Sequence, residues 1–219
     1  VSLAEIRPSW IVGVWIIAVL TMTLGNVVAI AQDNIKRMLA YSSIAHAGYI
    51  MVAVAASNRL GIQSIPFYLI AYAFINLGAW AVVTVMTRKG EEGTTLYDYT
   101  GLFWQHPILA GSMALFMIAL AGLPLTAGFW AKFYVFAAAL RANMIGLVII
   151  AVLITIISAY YYLRVTILMF MERPAKAREV IVPWPAAVAI AIAMIGTVWF
   201  FIFPGSTQAI TEAVAKLLL

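Results

Sequence analysis

Three hydrophilic side chains stand deep inside otherwise apolar stretches of this 219-residue chain: His46, Asn76 and Lys132. Lys132 follows a Gly/Pro break in the run Gly122-Leu-Pro124-Leu-Thr-Ala-Gly128-Phe-Trp-Ala-Lys132-Phe-Tyr134. Proline removes a backbone donor and clashes with the preceding turn, so a helix is expected to unwind or kink across Gly122, Pro124 and Gly128. At membrane depth a broken helix survives only where protein or a wet cavity covers the freed backbone. A lysine there costs about 2.5–3.5 kcal/mol by insertion scales, so it faces the interior and marks a pathway. Desolvation disfavours the charged form of a buried ammonium, and a mobile partner can then switch it between charged and neutral forms. That is proton-carrying chemistry. The competing reading is a helix end with Lys132 snorkelling to the surface.

Tyr41-Ser42-Ser43-Ile44-Ala45-His46-Ala47-Gly48-Tyr49 sets Ser42, His46 and Tyr49 on one helical face, at i, i+4 and i+7. Histidine can relay a proton near neutral pH, and hydroxyls can hold the water that links carriers. The same pattern suits a histidine hydrogen-bonded inside a bundle. Ala45, Ala47 and Gly48 are small enough for close helix packing around it. Asn76 reads as interhelical glue or a water ligand. Thr155, Ser158 and Tyr162 share a face near Tyr160-Tyr161-Tyr162-Leu163-Arg164, and that face can be wet. Tyr160 and Arg164 read as an interfacial belt. Metal binding is not expected: there is no cysteine, and the second histidine, His106, sits at a span end with no carboxylate nearby.

The elements that must hold these residues are membrane helices. The chain is 65% hydrophobic and 10% charged, with mean hydropathy +1.04; a soluble domain carries about 25% charge. The apolar segments are too long for strands and do not alternate, so the class is all-α, a polytopic membrane helix bundle surrounded by lipid. Six spans are expected: 10–31, 39–56, 66–87, 107–140, 144–171 and 183–203. The third starts at Pro66, a residue suited to a first helical turn. The fourth would be about 50 Å long if unbroken, against a core of about 30 Å, which supports one discontinuous helix. The longest polar loop is 88–106, and the tail from Thr207 is expected to be a short interfacial helix. Val1 rather than Met opens the chain and no signal-peptide pattern follows. The chain is expected to be a piece of a longer protein.

The net charge of +5 reports topology before any nucleic-acid partner. Lys36, Arg37, Arg88, Lys89, Arg164, Arg173, Lys176 and Arg178 sort to one side, and Arg7, Arg59, Arg141 and Lys216 to the other. The richer side is expected to be cytoplasmic. Every carboxylate (Glu5, Asp33, Glu91, Glu92, Asp98, Glu172, Glu179, Glu212) falls in a loop or at a span end. A charged partner for Lys132 would then come from another polypeptide.

Two segments, Gln32-Asp-Asn-Ile-Lys36-Arg-Met-Leu-Ala-Tyr-Ser-Ser-Ile-Ala-His46-Ala-Gly-Tyr49 and Gly122 to Tyr134, resemble the antiporter-like membrane subunits of respiratory complex I, most closely the subunit N (subunit 2-like) branch. Tyr97-Asp98-Tyr99-Thr100-Gly101-Leu102 and Tyr160 to Arg164 add to the likeness, which covers essentially the whole chain. The resemblance implies fourteen spans built on two inverted repeats. This chain would be the C-terminal part: the second repeat plus a closing helix. It implies a place in the membrane arm of an NADH:quinone oxidoreductase, in a bacterial inner membrane or an equivalent energy-transducing membrane. Lys132 matches the broken-helix lysine and His46 a position on the central hydrophilic axis, the two acting in proton transfer with Ser42, Tyr49, Asn76, Ser158 and Tyr162 along the path. The implied partners are other membrane subunits and the missing N-terminal spans. Flavin, iron–sulfur clusters and quinone would sit in partner subunits: this chain has no cysteine and no G-x-G-x-x-G. A multi-subunit cation/proton antiporter, whose fold looks similar, and a structural membrane spacer are the alternatives.

Overall fold

Polar caps decide where the helices of this protein begin. The computed structural model describes residues 7–87, 93–173, 180–207 and 211. Among these the chain is helical and has no strand. α1 (Arg7–Ile30) ends ahead of the Asp33-Asn34 turn. α2 (Ile35–Ala56) starts at Asn34, whose Oδ1 accepts from the amides of Lys36 (3.0 Å) and Arg37 (3.1 Å). Its first turn therefore lies four residues ahead of the expected start. α3 (Arg59–Met86) starts at Asn58, which accepts from the Gly61 amide at 2.8 Å. Pro66 is thus inside this helix and not in its first turn. Asn58 satisfies the terminal amides, and helix propagates through the half-buried proline.

The stretch expected as span 107–140 is two helices of 15 residues, α5 (Pro107–Ala121) and α6 (Ala127–Arg141). α7 (Ile145–Met171) and α8 (Trp184–Ile202) follow, close to their expected bounds. Five helices, α1 (from Trp10), α2, α3, α7 and α8, are long and apolar enough to cross a membrane.

The segment read as a polar loop has more structure than its composition indicates. Ahead of α5 it forms a 3-10 turn (Leu96–Tyr99) and a one-turn α4 (Leu102–Gln105), and Leu96, Tyr99 and Leu102 are buried. Its backbone pairs with the α1–α2 turn: Ile35 N–H donates to Thr94 O (2.8 Å) and Leu96 N–H to Asp33 O (2.7 Å). Gly101 N–H donates to Leu168 O of α7 at 2.9 Å. Arg164 meets Asp33 at 3.0 Å, so these residues share one end of the bundle. At the other end Asn58 Nδ2 donates to Ala138 O of α6 at 2.8 Å. Arg88, Lys89, Glu91, Glu92, Pro174, Lys176, Arg178, Glu179, Glu5, Glu212, Lys216 and nearly all of the tail lie outside the described residues. Pro204–Thr207 is a 3-10 turn.

The core has two storeys. One joins α2, α3, α5 and α7 around Met38, Ile75, Phe116 and Tyr162. The other joins α1, α2, α3, α6 and α7 around Met22, Tyr49, Tyr68 and Val135. α5 belongs to the first and α6 to the second, so the break falls where the storeys meet. α1 and α2 approach through glycine: a Cβ on Gly25 would lie 2.6 Å from Ala45 N, and one on Gly48 2.7 Å from Met22 N. Ala45 and Gly48 make the close packing expected of them, while Ala47 is exposed.

Candidate functional site at the broken helix

α5 stops in a Schellman-type cap. Gly122 takes φ 80°, its amide donates to Ala119 O (3.0 Å), and the Leu123 amide donates to Ile118 O (3.2 Å). The carbonyls of Leu120 and Ala121 are left to another donor. Lys132, five residues into α6, supplies it: Nζ donates to Leu120 O at 3.1 Å and to Ala121 O at 3.0 Å. The cation rests on the negative end of the α5 dipole. It also lies 4.9 Å from the centre of the Tyr49 ring, within cation–π range. Lys132 is 4% exposed, so its side chain does not reach the surface of the chain. It makes no ion pair among the described residues.

Each residue of the break has a task. A Cβ on Gly122 would come within 2.7 Å of Lys132 Cδ, and one on Gly128 would overlap the Ala119 carbonyl oxygen. Thr126 Oγ1 donates to Leu123 O at 2.8 Å, closing the turn. Leu125 holds φ 75° and is 73% exposed, next to the exposed Pro124. Left-handed backbone costs a β-carbon residue about 1–2 kcal/mol, which the surrounding bonds must offset.

A second polar group lies across the Tyr49 ring. His46, 6% exposed, meets Tyr49 edge-on with ring centres 5.8 Å apart. Its Nδ1 is 2.7 Å from Tyr68 Oη of α3, and its Nε2 is 3.3 Å from Tyr162 Oη of α7. Tyr162 Oη is hydrogen-bonded to Ser42 Oγ. Thr155 Oγ1 donates to Tyr49 Oη at 3.0 Å. The tertiary structure thus brings Ser42, His46, Tyr49, Tyr162 and Lys132 into one buried region. Ser158 is buried nearby, with its hydroxyl donated to Thr155 O at 2.7 Å. Asn76 is half-buried and joins neither group. Tyr160, 60% exposed, and Arg164 sit at the periphery, where a belt would be.

Two members have no counterpart in the sequence reading. Tyr68 sits in an aromatic-rich run where its hydroxyl carries no pattern. Asn26, fully buried, donates to Met22 O (2.8 Å) and accepts from Tyr161 Oη (2.9 Å). A lone amide amid Leu24-Gly25 and Val27-Val28 was the available signal for it. Among the described residues no three of His, Asp and Glu gather as metal ligands would.

Long apolar helices, one interrupted beside a buried lysine, and a polar cluster between them define an antiporter-like α-helical membrane protein. The chain belongs to the NADH:quinone oxidoreductase/Mrp antiporter transmembrane family, whose model matches residues 1–158. It is 45% identical over 219 residues to NADH-quinone oxidoreductase subunit N of Trichlorobacter lovleyi, covering all of this chain and 45% of that protein. A chain of respiratory complex I from Thermus thermophilus superposes with TM-score 0.79 at 34% identity, covering 89% of this chain and 44% of that one. A chain of the Mrp complex from Dietzia shares the fold, with TM-score 0.81 at 18% identity, covering 94% of this chain and 46% of that one. The chain therefore spans a little under half the length of these proteins.

Proposed function

We propose that this chain is the C-terminal part of a subunit N-type membrane subunit of an NADH:quinone oxidoreductase in a bacterial inner membrane, and that it takes part in redox-coupled proton translocation. In this reading α5 and α6 together make a sixth crossing, and the six crossings form the second inverted repeat plus a closing helix. Lys132 holds and releases the proton, and His46 passes it to or from the N-terminal half of the subunit. The partners are the other membrane subunits and that N-terminal half. Redox chemistry and its cofactors belong to those partners.

The observation that carries the reading is the seat of Lys132. An ammonium enclosed in protein, with two carbonyls and one aromatic face around it, has no fixed counter-charge among the described residues. Its charge is therefore poised to respond to a group that moves. A lysine placed only to cap α5 would do as well at the surface, where desolvation costs nothing. Ser42, Tyr49, Ser158 and Tyr162 are the further path candidates, and Asn76 stands furthest from the cluster.

The test is Lys132→Ala in the assembled, membrane-bound complex. The expected outcome is normal assembly with fewer protons translocated per NADH oxidised. An unchanged ratio at normal turnover would overturn the role. The cation/proton antiporter alternative predicts instead that the full-length subunit isolates with membrane subunits alone and never with redox subunits.

A further inference from the structure

His46 has hydroxyls on both of its nitrogens, from two different helices: Tyr68 of α3 at Nδ1 and Tyr162 of α7 at Nε2. A neutral imidazole has one donor nitrogen and one acceptor nitrogen. The two tyrosines therefore cannot play the same part. One donates to the ring and the other accepts from it, and the tautomer of His46 sets which. Tyr162 Oη is also bonded to Ser42 Oγ, so the choice at the ring extends one link further.

The ring cannot exchange its nitrogens by turning over. Tyr72 lies tilted against it with ring centres 4.8 Å apart, Tyr68 at 5.9 Å and Tyr49 at 5.8 Å. Tyr72 is itself tied to Ser43 Oγ by a 2.9 Å bond from its hydroxyl. A proton that arrives on one nitrogen of a pinned imidazole must leave from the other. The chain also has a direction in the membrane. Ser42 lies seven residues from the start of α2, about 10 Å from that end at helical rise, whereas Tyr68 lies nine residues from the start of α3, about 14 Å from the opposite end.

Resting on the proton-translocation reading above, we propose that Tyr68 is the positioning residue that sets the tautomer of His46, within a four-member relay Tyr68–His46–Tyr162–Ser42 that spans three helices. In one state Tyr68 O–H donates to Nδ1, Nε2–H donates to Tyr162 Oη, and Tyr162 O–H donates to Ser42 Oγ. A hydrated proton reaching Tyr68 Oη displaces the Tyr68 proton onto Nδ1. The Nε2 proton moves to Tyr162 Oη, the Tyr162 proton to Ser42 Oγ, and the Ser42 proton leaves to water on the far side. One proton enters and one leaves, and no member keeps a net charge. Rotation of the three hydroxyls, with return of the ring tautomer, resets the chain.

The experiment measures protons translocated per NADH oxidised in membranes holding the assembled complex, for Tyr68→Phe, Tyr162→Phe, the double variant and Lys132→Ala. Tyr68→Phe keeps the ring packing and removes only the hydroxyl. The expected result is a ratio lowered as far by Tyr68→Phe as by Tyr162→Phe, with the double variant no worse than either, because members of one chain are not additive. A purely structural role lowers NADH oxidation and proton movement together and leaves the ratio unchanged, which overturns the relay. A lowered ratio in Lys132→Ala with an unchanged one in Tyr68→Phe sinks the relay and spares the Lys132 reading; the converse spares the relay alone. Should Tyr68→Phe fail to assemble, Tyr162→Phe decides on the other nitrogen.

Discussion

Two prolines in this protein meet opposite fates. Pro66 sits inside α3, which runs on from Arg59 to Met86. Pro124 sits in a five-residue gap where α5 has ended and α6 has not begun. Each ring withdraws one amide and crowds the carbonyl four residues back. The neighbours make the difference. Around Pro124, Gly122 accepts a left-handed backbone, Thr126 closes the turn, and Lys132 takes the two carbonyls left at the end of α5. Around Pro66 no such substitutes stand, and the helix continues with one bond missing. A helix break in a membrane is thus a property of the groups that satisfy the freed backbone, and proline alone does not impose it.

The comparison can be broken hardest at Gly128. Gly128→Val puts side-chain carbon onto the Ala119 carbonyl at the end of α5. We expect a loss of about 3 kcal/mol or more, read as failure of the complex to assemble in membranes. Gly122→Ala comes next. Its left-handed φ and the nearby Lys132 Cδ predict a cost of about 1–2 kcal/mol, read as a lower unfolding temperature in detergent, and fewer protons translocated per turnover as Lys132 is displaced. The proline pair gives the smallest effects and the sharpest contrast. Pro66→Ala returns an amide donor to the Ile62 carbonyl and should stabilise by about 1 kcal/mol. Pro124→Ala should change stability by no more than about 0.5 kcal/mol, with hydrogen exchange at residues 122–127 still fast, since the cap and Lys132 remain. If Pro124→Ala instead heals the helix, proline was the cause and the comparison fails.

The same division explains what could be read from the residues. Membrane class, helix content and the break at Gly122–Gly128 follow from local chemistry: apolar runs, a left-handed glycine and a lysine at an unlikely depth. The two Asn caps were also local signals, yet Pro66 outweighed Asn58 in the reading, and α3 was taken to start seven residues late. Buried Leu96 and Tyr99 were hidden in a segment of polar composition, because their cover comes from the α1–α2 turn and α7, far away in the chain.

Residue types and spacing alone thus established an apolar, helical, membrane-embedded chain with an interrupted helix, and put Lys132 and His46 at similar depth. They did so because hydropathy, helical period and backbone conformation act over a few residues. Tertiary structure alone decided that Lys132 rests on the last carbonyls of α5 and the face of Tyr49, that Tyr68 and Tyr162 grip the two nitrogens of His46, and that Asn76 stands aside. Those contacts join residues up to 120 positions apart, and a hydrogen bond between helices depends on how the helices pack, which no single stretch encodes.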